Sequence, residues 1–487
     1  MGPAWRWGCA FGLLIGVLLS AGTAHAQVRE AIVDNDFEVD LLATPASGSS
    51  RTIGLGGAAV ALAEGVSAVG VNPAGYAART SWELDWWEYE LDLSLQFPGS
   101  FSSADYFLNG RGRSLGVNHF LAVEAAGRLQ LGNLGFGAQV RIEEYRLRTE
   151  SRSSVSVSTT RLGGGYAFAN GQFVLGGGVR IASFDLTASE AVADGPVPGE
   201  FITLVSFRAV GAELGAVLRP EHARWRIGAA MRSPVRAVVV GDEVRRAGGF
   251  WIPRAANYPW EFAAGFAYQW LERPLNPVFQ AQKNVARGLR ARLRERWCAR
   301  EALQVERERS RGEYEPGAED SDCNGAPRPS SAAWWSQEQA RRDAERANSG
   351  SEAERLQDEM GDFQRAIYES RPRRYVLLSA DLLILGRTDD GVGIDSFVRQ
   401  ERFRRGAEIT VGARVGVETE AIVDRLKLRF GTYFEQARYE DVGSRIHGTA
   451  GFDLRLFRFI GTEWRLTSFV DVASRYVNWG VSIGAWH

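Results

Sequence analysis

Glu408-Ile-Thr-Val-Gly-Ala-Arg-Val-Gly-Val417 is the stretch that decides the fold class. Ile409, Val411, Ala413, Val415 and Val417 are apolar, and Glu408, Thr410, Gly412, Arg414 and Gly416 fall between them. Strict alternation of this kind marks a strand with two unlike faces. The pattern recurs outward from that point: Leu426 to Glu435, Ala450 to Leu456, Trp464 to Val472, and earlier Leu134 to Glu143, Phe173 to Ala182, Trp225 to Arg232 and Phe262 to Trp270. A soluble sandwich alternates too. These runs, however, are about ten residues long, the length a tilted strand needs to cross a bilayer. Their second face is also persistently Gly, Ser, Thr or charged, as a polar lumen would be.

Strands are expected near 81–97, 117–129, 134–147, 155–168, 172–184, 203–217, 224–232, 260–270, 375–386, 407–418, 427–436, 447–457, 463–473 and 476–486. About fourteen is an even number, as closed antiparallel barrels of the outer membrane require. Short connections (131–133, 220–223, 458–462) alternate with longer ones (98–116, 185–202, 233–259, 387–406), the rhythm of periplasmic turns and external loops. Trp82, Trp225, Trp270, Trp464 and Trp486 fall at strand ends on the turn side, as an aromatic girdle would.

The whole-chain figures agree. Among 487 residues, 45% are hydrophobic and the mean hydropathy is −0.20. Beyond residue 20 no stretch is long and apolar enough for a helical span. Gly (55) and Trp (15) are abundant, which suits closely packed strands with aromatic ends. Basic and acidic residues balance at 57 and 59, which gives no reason to expect nucleic acid as a partner. Residues 1–26 read as a signal peptide, with Arg6, an apolar run from Cys9 to Ser20 and Ala24-His25-Ala26 as the cleavage site.

Residues 27–80 do not alternate. Gly54-Leu-Gly-Gly-Ala-Ala-Val-Ala-Leu-Ala63 leads to Asn72-Pro73-Ala74. Gly54-x-Gly56-x-x-Ala59 superficially fits a dinucleotide fingerprint, but the polar run Ser47 to Thr52 before it is no buried strand. Small residues here suit close packing in a confined space. This run resembles the FadL family of outer-membrane transporters of hydrophobic compounds, and the resemblance continues at Ile252-Pro253, Pro259-Trp-Glu-Phe-Ala-Ala-Gly-Phe-Ala-Tyr268 and Leu428-Arg-Phe-Gly-Thr-Tyr433. The resemblance implies a fourteen-stranded barrel with its hatch in the lumen, and a hatch motif at Gly54, Gly56, Gly57, Asn72, Pro73 and Ala74. It also implies a hydrophobic small-molecule ligand. The same N-terminal pattern occurs in PorV-type barrels, which resemble secretion-system components, so an assembly or adaptor role stands beside transport. The last strand departs from the family pattern: its outward phase (Val477, Trp479, Val481, Ile483, Ala485) ends on His487, with Trp486 one position off.

Glu272 to Arg374 is a different kind of sequence, with 39 charged residues in 103. Phe279 to Arg311 and Ser336 to Ser370 read as helices around a Gly- and Pro-rich connector. Cys298 and Cys323 lie here, the only cysteines left after cleavage, and in an oxidising compartment they are placed to pair. Six strands follow, an even number, so the insertion is expected on the periplasmic side, where it would decorate the barrel or hold a periplasmic protein.

The domain reading is therefore signal peptide 1–26, hatch 27–80, strands 1–8 in 81–271, insertion 272–374 and strands 9–14 in 375–487. The fold class is an all-β transmembrane barrel in the outer membrane of a Gram-negative bacterium, a monomer surrounded by lipid. His119, His222, His447 and His487 are scattered, without metal-ligand spacing or a triad, so no catalytic residue, metal or cofactor is expected. Arg141, Arg180, Glu213, Arg226, Asp381, Arg414, Arg429, Asp453, Arg455, Arg465 and Asp471 fall in the inward phase as lumen-facing polar residues. Gly132, Gly135 and Gly137 read as a kink that opens a lateral gap.

Overall fold

A computed structural model describes residues 30–79, 87–98, 105–110, 117–147, 154–189, 201–238, 246–247, 249–276, 282–315, 323, 326–347, 374–459 and 462–486. The expected signal peptide, Trp82, His487 and the expected helix beyond Ala347 lie outside the described residues.

Fourteen strands close into one antiparallel barrel, each paired with its neighbours in sequence. They are β1 (Trp87–Gln96), β2 (Val117–Leu131), β3 (Leu134–Leu147), β4 (Ser154–Phe168), β5 (Phe173–Ser189), β6 (Phe201–Leu218) and β7 (Trp225–Arg232). The second half comprises β8 (Glu261–Trp270), β9 (Val376–Leu385), β10 (Thr410–Ile422), β11 (Leu426–Glu435), β12 (Arg445–Phe459), β13 (Thr462–Ala473) and β14 (Tyr476–Trp486). Pairing of β14 with β1, from Gly480–Gln96 to Trp486–Glu90, closes the wall and leaves no sheet edge along that seam.

The connections sort onto two rims. Segments 132–133, 169–172, 219–224 and 423–425 form the short-turn rim, where β14 also ends. The described parts of 97–116 and 233–260, with 386–409, 436–444 and 474–475, lie at the opposite, long-loop rim. The chain leaves β8 and returns to β9 at the short-turn rim. Trp225, Trp270 and Trp464 are in the outward phase at that rim. Trp486 is not: it turns inward, with the Arg465 guanidinium 4.6 Å from its ring centre. Trp87, stacked on Tyr89 at 5.8 Å, stands on the outward face instead.

The outward face carries an apolar belt: Leu134 to Ile142 on β3, Phe173 to Ile181 on β5 and Val210 to Leu218 on β6 hold exposed aliphatic and aromatic side chains. Toward the long-loop rim the outward residues of β4–β6 become polar. Ser158 there bonds Ser183 at 2.7 Å, and Ser206 donates to Asp185 at 2.6 Å. Each belt matches the 9–11 residues of a tilted spanning strand.

The glycine-kink reading of β3 is not what the structure shows. Its ladder runs unbroken on both sides through Gly135 and Gly137, and Gly132 sits in the turn before it at φ +59°. Those two glycines answer instead to Tyr76 and Ala77 of the N-terminal segment.

The described part of Val278–Pro372 forms a compact unit of its own. Its helices are α2 (Gln282–Arg311) and α3 (Ala332–Ala347), α1 being Ser50–Gly54 in the N-terminal segment. Cys298 and Cys323 are joined by a disulfide. Arg300 reaches Glu338 at 3.1 Å, Arg342 pairs with Glu301, and Ser330 N–H donates to Glu308 at 2.6 Å. The two helices and their connector are thus held by charge and a covalent link more than by apolar burial.

Candidate functional site

The inward face is built in three tiers, and the N-terminal segment threads all of them. On β3–β6 the tier nearest the short-turn rim is glycine. A Cβ on Gly135 would stand 2.5 Å from Tyr76 C and 2.8 Å from Ala77 Cα, and one on Gly163 would stand 2.5 Å from the Tyr76 ring. Gly176 and Gly215 meet Pro73, Gly228 and Gly265 meet Val60 and Ala61, and Gly416 and Gly431 meet Leu55. These contacts run around the circumference from β3 to β11, so residues 54–77 lie within the lumen. No side chain fits between wall and segment at these points, which is why glycine stands there.

The six residues of the expected hatch motif all take part. α1 ends where Gly57 N–H donates to Thr52 O at 2.9 Å, with φ of +65° and +78° at Gly56 and Gly57. That left-handed turn favours glycine. Gly54 packs on Gly451, Gly56 on Thr432, and Gly57 on Arg414. Asn72 Oδ1 accepts the Ala74 N–H at 3.0 Å, and its Nδ2 donates to Val60 O (2.9 Å) and Ala216 O (3.2 Å). One side chain therefore caps the 3-10 turn Pro73–Tyr76, ties two parts of the segment together and fastens them to β6. Pro73 supplies the preset φ of a first helical residue, and Ala74 is fully buried.

The second tier is charged, and it pairs within itself. Arg141 binds Glu143 (2.8 Å) and Glu124 (3.3 Å), Arg161 binds Glu213 (3.0 Å), Arg180 binds Glu261, and Arg232 reaches Glu261 (3.1 Å) and Glu213 (3.5 Å). On the opposite wall the charges lie on the short-turn side of Gly416 and Gly431: Arg429 holds Glu418 (2.6 Å) and Asp453 (3.1 Å), while Arg455 and Arg465 reach Glu463 at 3.0 and 2.5 Å. Burying a charge is costly unless it is matched, and each of these carboxylates has its guanidinium. Several wall groups grip the N-terminal segment directly. Asp381 accepts the N–H groups of Ala59 (2.7 Å) and Val60 (2.9 Å), Glu90 accepts that of Val66 (2.6 Å), and Arg414 donates to Gly57 O (3.4 Å). Arg226 reaches Glu64 at 2.5 Å and donates to Asn276 and to the carbonyls of Leu62 and Leu275. Burial opposes ionisation of Glu64, but Arg226, Arg219 and Arg51 outweigh it and hold the carboxyl below its ordinary value.

The third tier, toward the long-loop rim, is apolar. Along β4 the inward residues change from Gly163 and Gly165 through Arg161 to Val157 and Val155. β5 passes from Gly176 and Gly178 through Arg180 to Phe184 and Leu186, and β6 from Gly215 through Glu213 to Phe207 and Val205. The hydrophobic phase thus inverts along one strand: outward in the belt, inward above it. Phe184 lies 6.3 Å from Phe207 and 5.9 Å from Phe397 of the helix Ile394–Val398. Phe37, Val39, Leu41 and Leu42 of the N-terminal segment complete the chamber, with Val235, Ile252, Tyr258 and Phe403 from the loops. Strand 38–40 is held between 255–257 and 391–393 in parallel pairing. Asp40 is matched by Arg438 at 3.1 Å, and Arg405 donates to the carbonyls of Asp40 (3.1 Å) and Leu42 (2.6 Å).

His447 and Asp471, far apart in sequence, meet at the chamber's edge. The imidazole lies between Asp471 (2.8 Å) and Glu435 (2.7 Å) and stacks on Tyr433 at 4.1 Å. Tyr433 donates to Asp471 at 2.7 Å and accepts the Ala46 N–H at 3.1 Å. Sequence reading missed this cluster, Glu64 and the chamber. The chamber had a readable signal, the change of phase within Ser154 to Phe168.

No known family model and no curated protein matches the sequence. Among solved structures the chain is similar to a Ralstonia pickettii toluene transporter, TbuX (11% identity, TM-score 0.45, 91% of this chain and 98% of that one). It is similar to a Pseudomonas aeruginosa FadL homologue (12%, 0.43, 93% and 99%) and to the Pseudomonas putida toluene transporter TodX (11%, 0.44, 92% and 98%).

Proposed function

We propose that this chain is an outer-membrane channel for passive uptake of hydrophobic small molecules, of the class of aromatic hydrocarbons or long-chain fatty acids. The observation that carries the reading is the phase inversion of β4–β6, which builds an apolar chamber inside the wall at the long-loop rim. A barrel that only needed to stand in lipid would have no use for an inward greasy face above its belt. In this reading residues 1–26 direct export, the long-loop rim faces outward, and an apolar solute leaves water for the chamber with a gain of about 25 cal/mol per Å² buried. The segment 27–80 acts as a hatch, seated on glycine and charge, that closes the periplasmic side until it shifts.

The test is initial uptake of naphthalene by Gram-negative cells with an intact lipopolysaccharide layer, with and without the protein. Uptake faster by several-fold, with no change for a sugar, supports the proposal. Equal rates for both solutes in both strains refute it. A second reading, an adaptor barrel, is favoured by one observation: the described part of 278–372 forms a compact unit of its own. Deleting 272–374 separates the two, because a channel keeps naphthalene uptake and an adaptor loses its periplasmic partner.

A further inference from the structure

We infer that the chamber selects a neutral hydrophobic molecule bearing one hydrogen-bond-accepting oxygen, such as a ketone, ester or ether, held by Tyr476 and Arg445; this rests on the uptake reading. Tyr476 belongs to the apolar cluster and is 1% exposed, yet its hydroxyl has no hydrogen-bond partner among the described residues. Arg445 lies over the Tyr476 ring, its guanidinium carbon 4.6 Å from the centroid. Its Nε donates to Glu435 and its Nη1 to Asp105 O at 2.7 Å, but Nη2, on a side chain 5% exposed overall, is left over. Tyr106 stacks on the Tyr476 ring at 6.3 Å, so this stacked pair belongs to the aromatic lining. A buried donor without an acceptor is costly. Two such donors in one stacked pair ask for an oxygen brought by something else.

The charge count decides which oxygen. Arg445 and His447 already face Glu435 and Asp471 at 2.5 to 2.8 Å. A carboxylate added there would have no free countercharge, whereas a carbonyl or ether oxygen needs none. A site built to hydrogen-bond its ligand discriminates strongly against the analogue that lacks the group.

Ethylbenzene, acetophenone and benzoate share size and differ in this one feature. Their binding to detergent-purified full-length protein is measured by equilibrium dialysis, each normalised to its own dodecane–water partition. Acetophenone should bind about tenfold more tightly than ethylbenzene after that correction. Benzoate should be weakest. Tyr476→Phe should bring acetophenone close to the ethylbenzene level and leave ethylbenzene unchanged, a contrast that a merely unfolded variant cannot give. Equal binding of ethylbenzene and acetophenone, or benzoate binding best, overturns the inference while the uptake reading stands. If none of the three binds, both fall.

Discussion

Replacing Gly135 and Gly176 together by alanine should unseat the N-terminal segment without unfolding the barrel. The Gly135 methyl would stand 2.5 Å from Tyr76 C and 2.8 Å from Ala77 Cα, and the Gly176 methyl 2.7 Å from Ala74 N. Carbon atoms pack at roughly 3.5–4.0 Å, so the segment must retreat by about 1 Å at two points separated along β3 and β5. The opposing atoms are backbone, which cannot rotate away. Overpacking costs about 1–3 kcal/mol per site, hence roughly 2–6 kcal/mol for the pair. At about 1.4 kcal/mol per factor of ten, the seated population falls at least tenfold. The assay is single-channel conductance in planar bilayers, with heat-modifiable mobility on gels as the check that the barrel is intact. The wild type should be nearly closed and the double variant should conduct. Gly448→Ala, whose added methyl meets nothing within 4 Å, is the control. Closed double-variant barrels, or a control that leaks equally, would refute the glycine-seat reasoning.

Glu64→Gln should lower thermal stability by about 3 kcal/mol, because Arg226 and Arg219 lose a buried counter-charge. The Glu64 carboxyl is held below its ordinary value of 4.5, so its contribution is complete above that value and lost as pH falls through the lower folded value. The gap between wild type and variant should therefore narrow as the pH falls below 4.5, read by thermal unfolding at each pH. Phe207→Asp places an unmatched carboxylate in the chamber and should abolish naphthalene uptake at unchanged surface level, while leaving the glycine and charge tiers intact. Replacing Cys298 and Cys323 by serine opens a loop of 25 residues, worth about 3 kcal/mol. Limited proteolysis should then cut the insertion faster, with the barrel as resistant as before.

Much of this was legible in the chain, and the physics says why. A spanning strand must present lipid on one side, so alternation in Glu408 to Val417 and its counterparts marks every wall strand. What alternation does not state is which face is which at a given height. Ser154 to Phe168 shifts phase in mid-strand, its apolar residues inward at Val155 and outward at Leu162. The glycines were visible as an excess, and only the threaded segment explains their places: Gly135 reads as a kink until Tyr76 is seen against it. His447 looked isolated because its partners depend on register. Glu435 sits opposite Arg445, and Asp471 opposite Thr449, two positions from the histidine on either ladder. The interaction exists only once three strands are aligned.

The central claim is that the apolar chamber at the long-loop rim is where a hydrophobic solute rests. A crystal of the purified protein soaked in 4-bromotoluene and measured at the bromine absorption edge tests it directly. An anomalous peak is expected inside the barrel among Phe184, Phe207 and Phe397. Peaks confined to the lipid-facing belt, with none inside the wall, would contradict it.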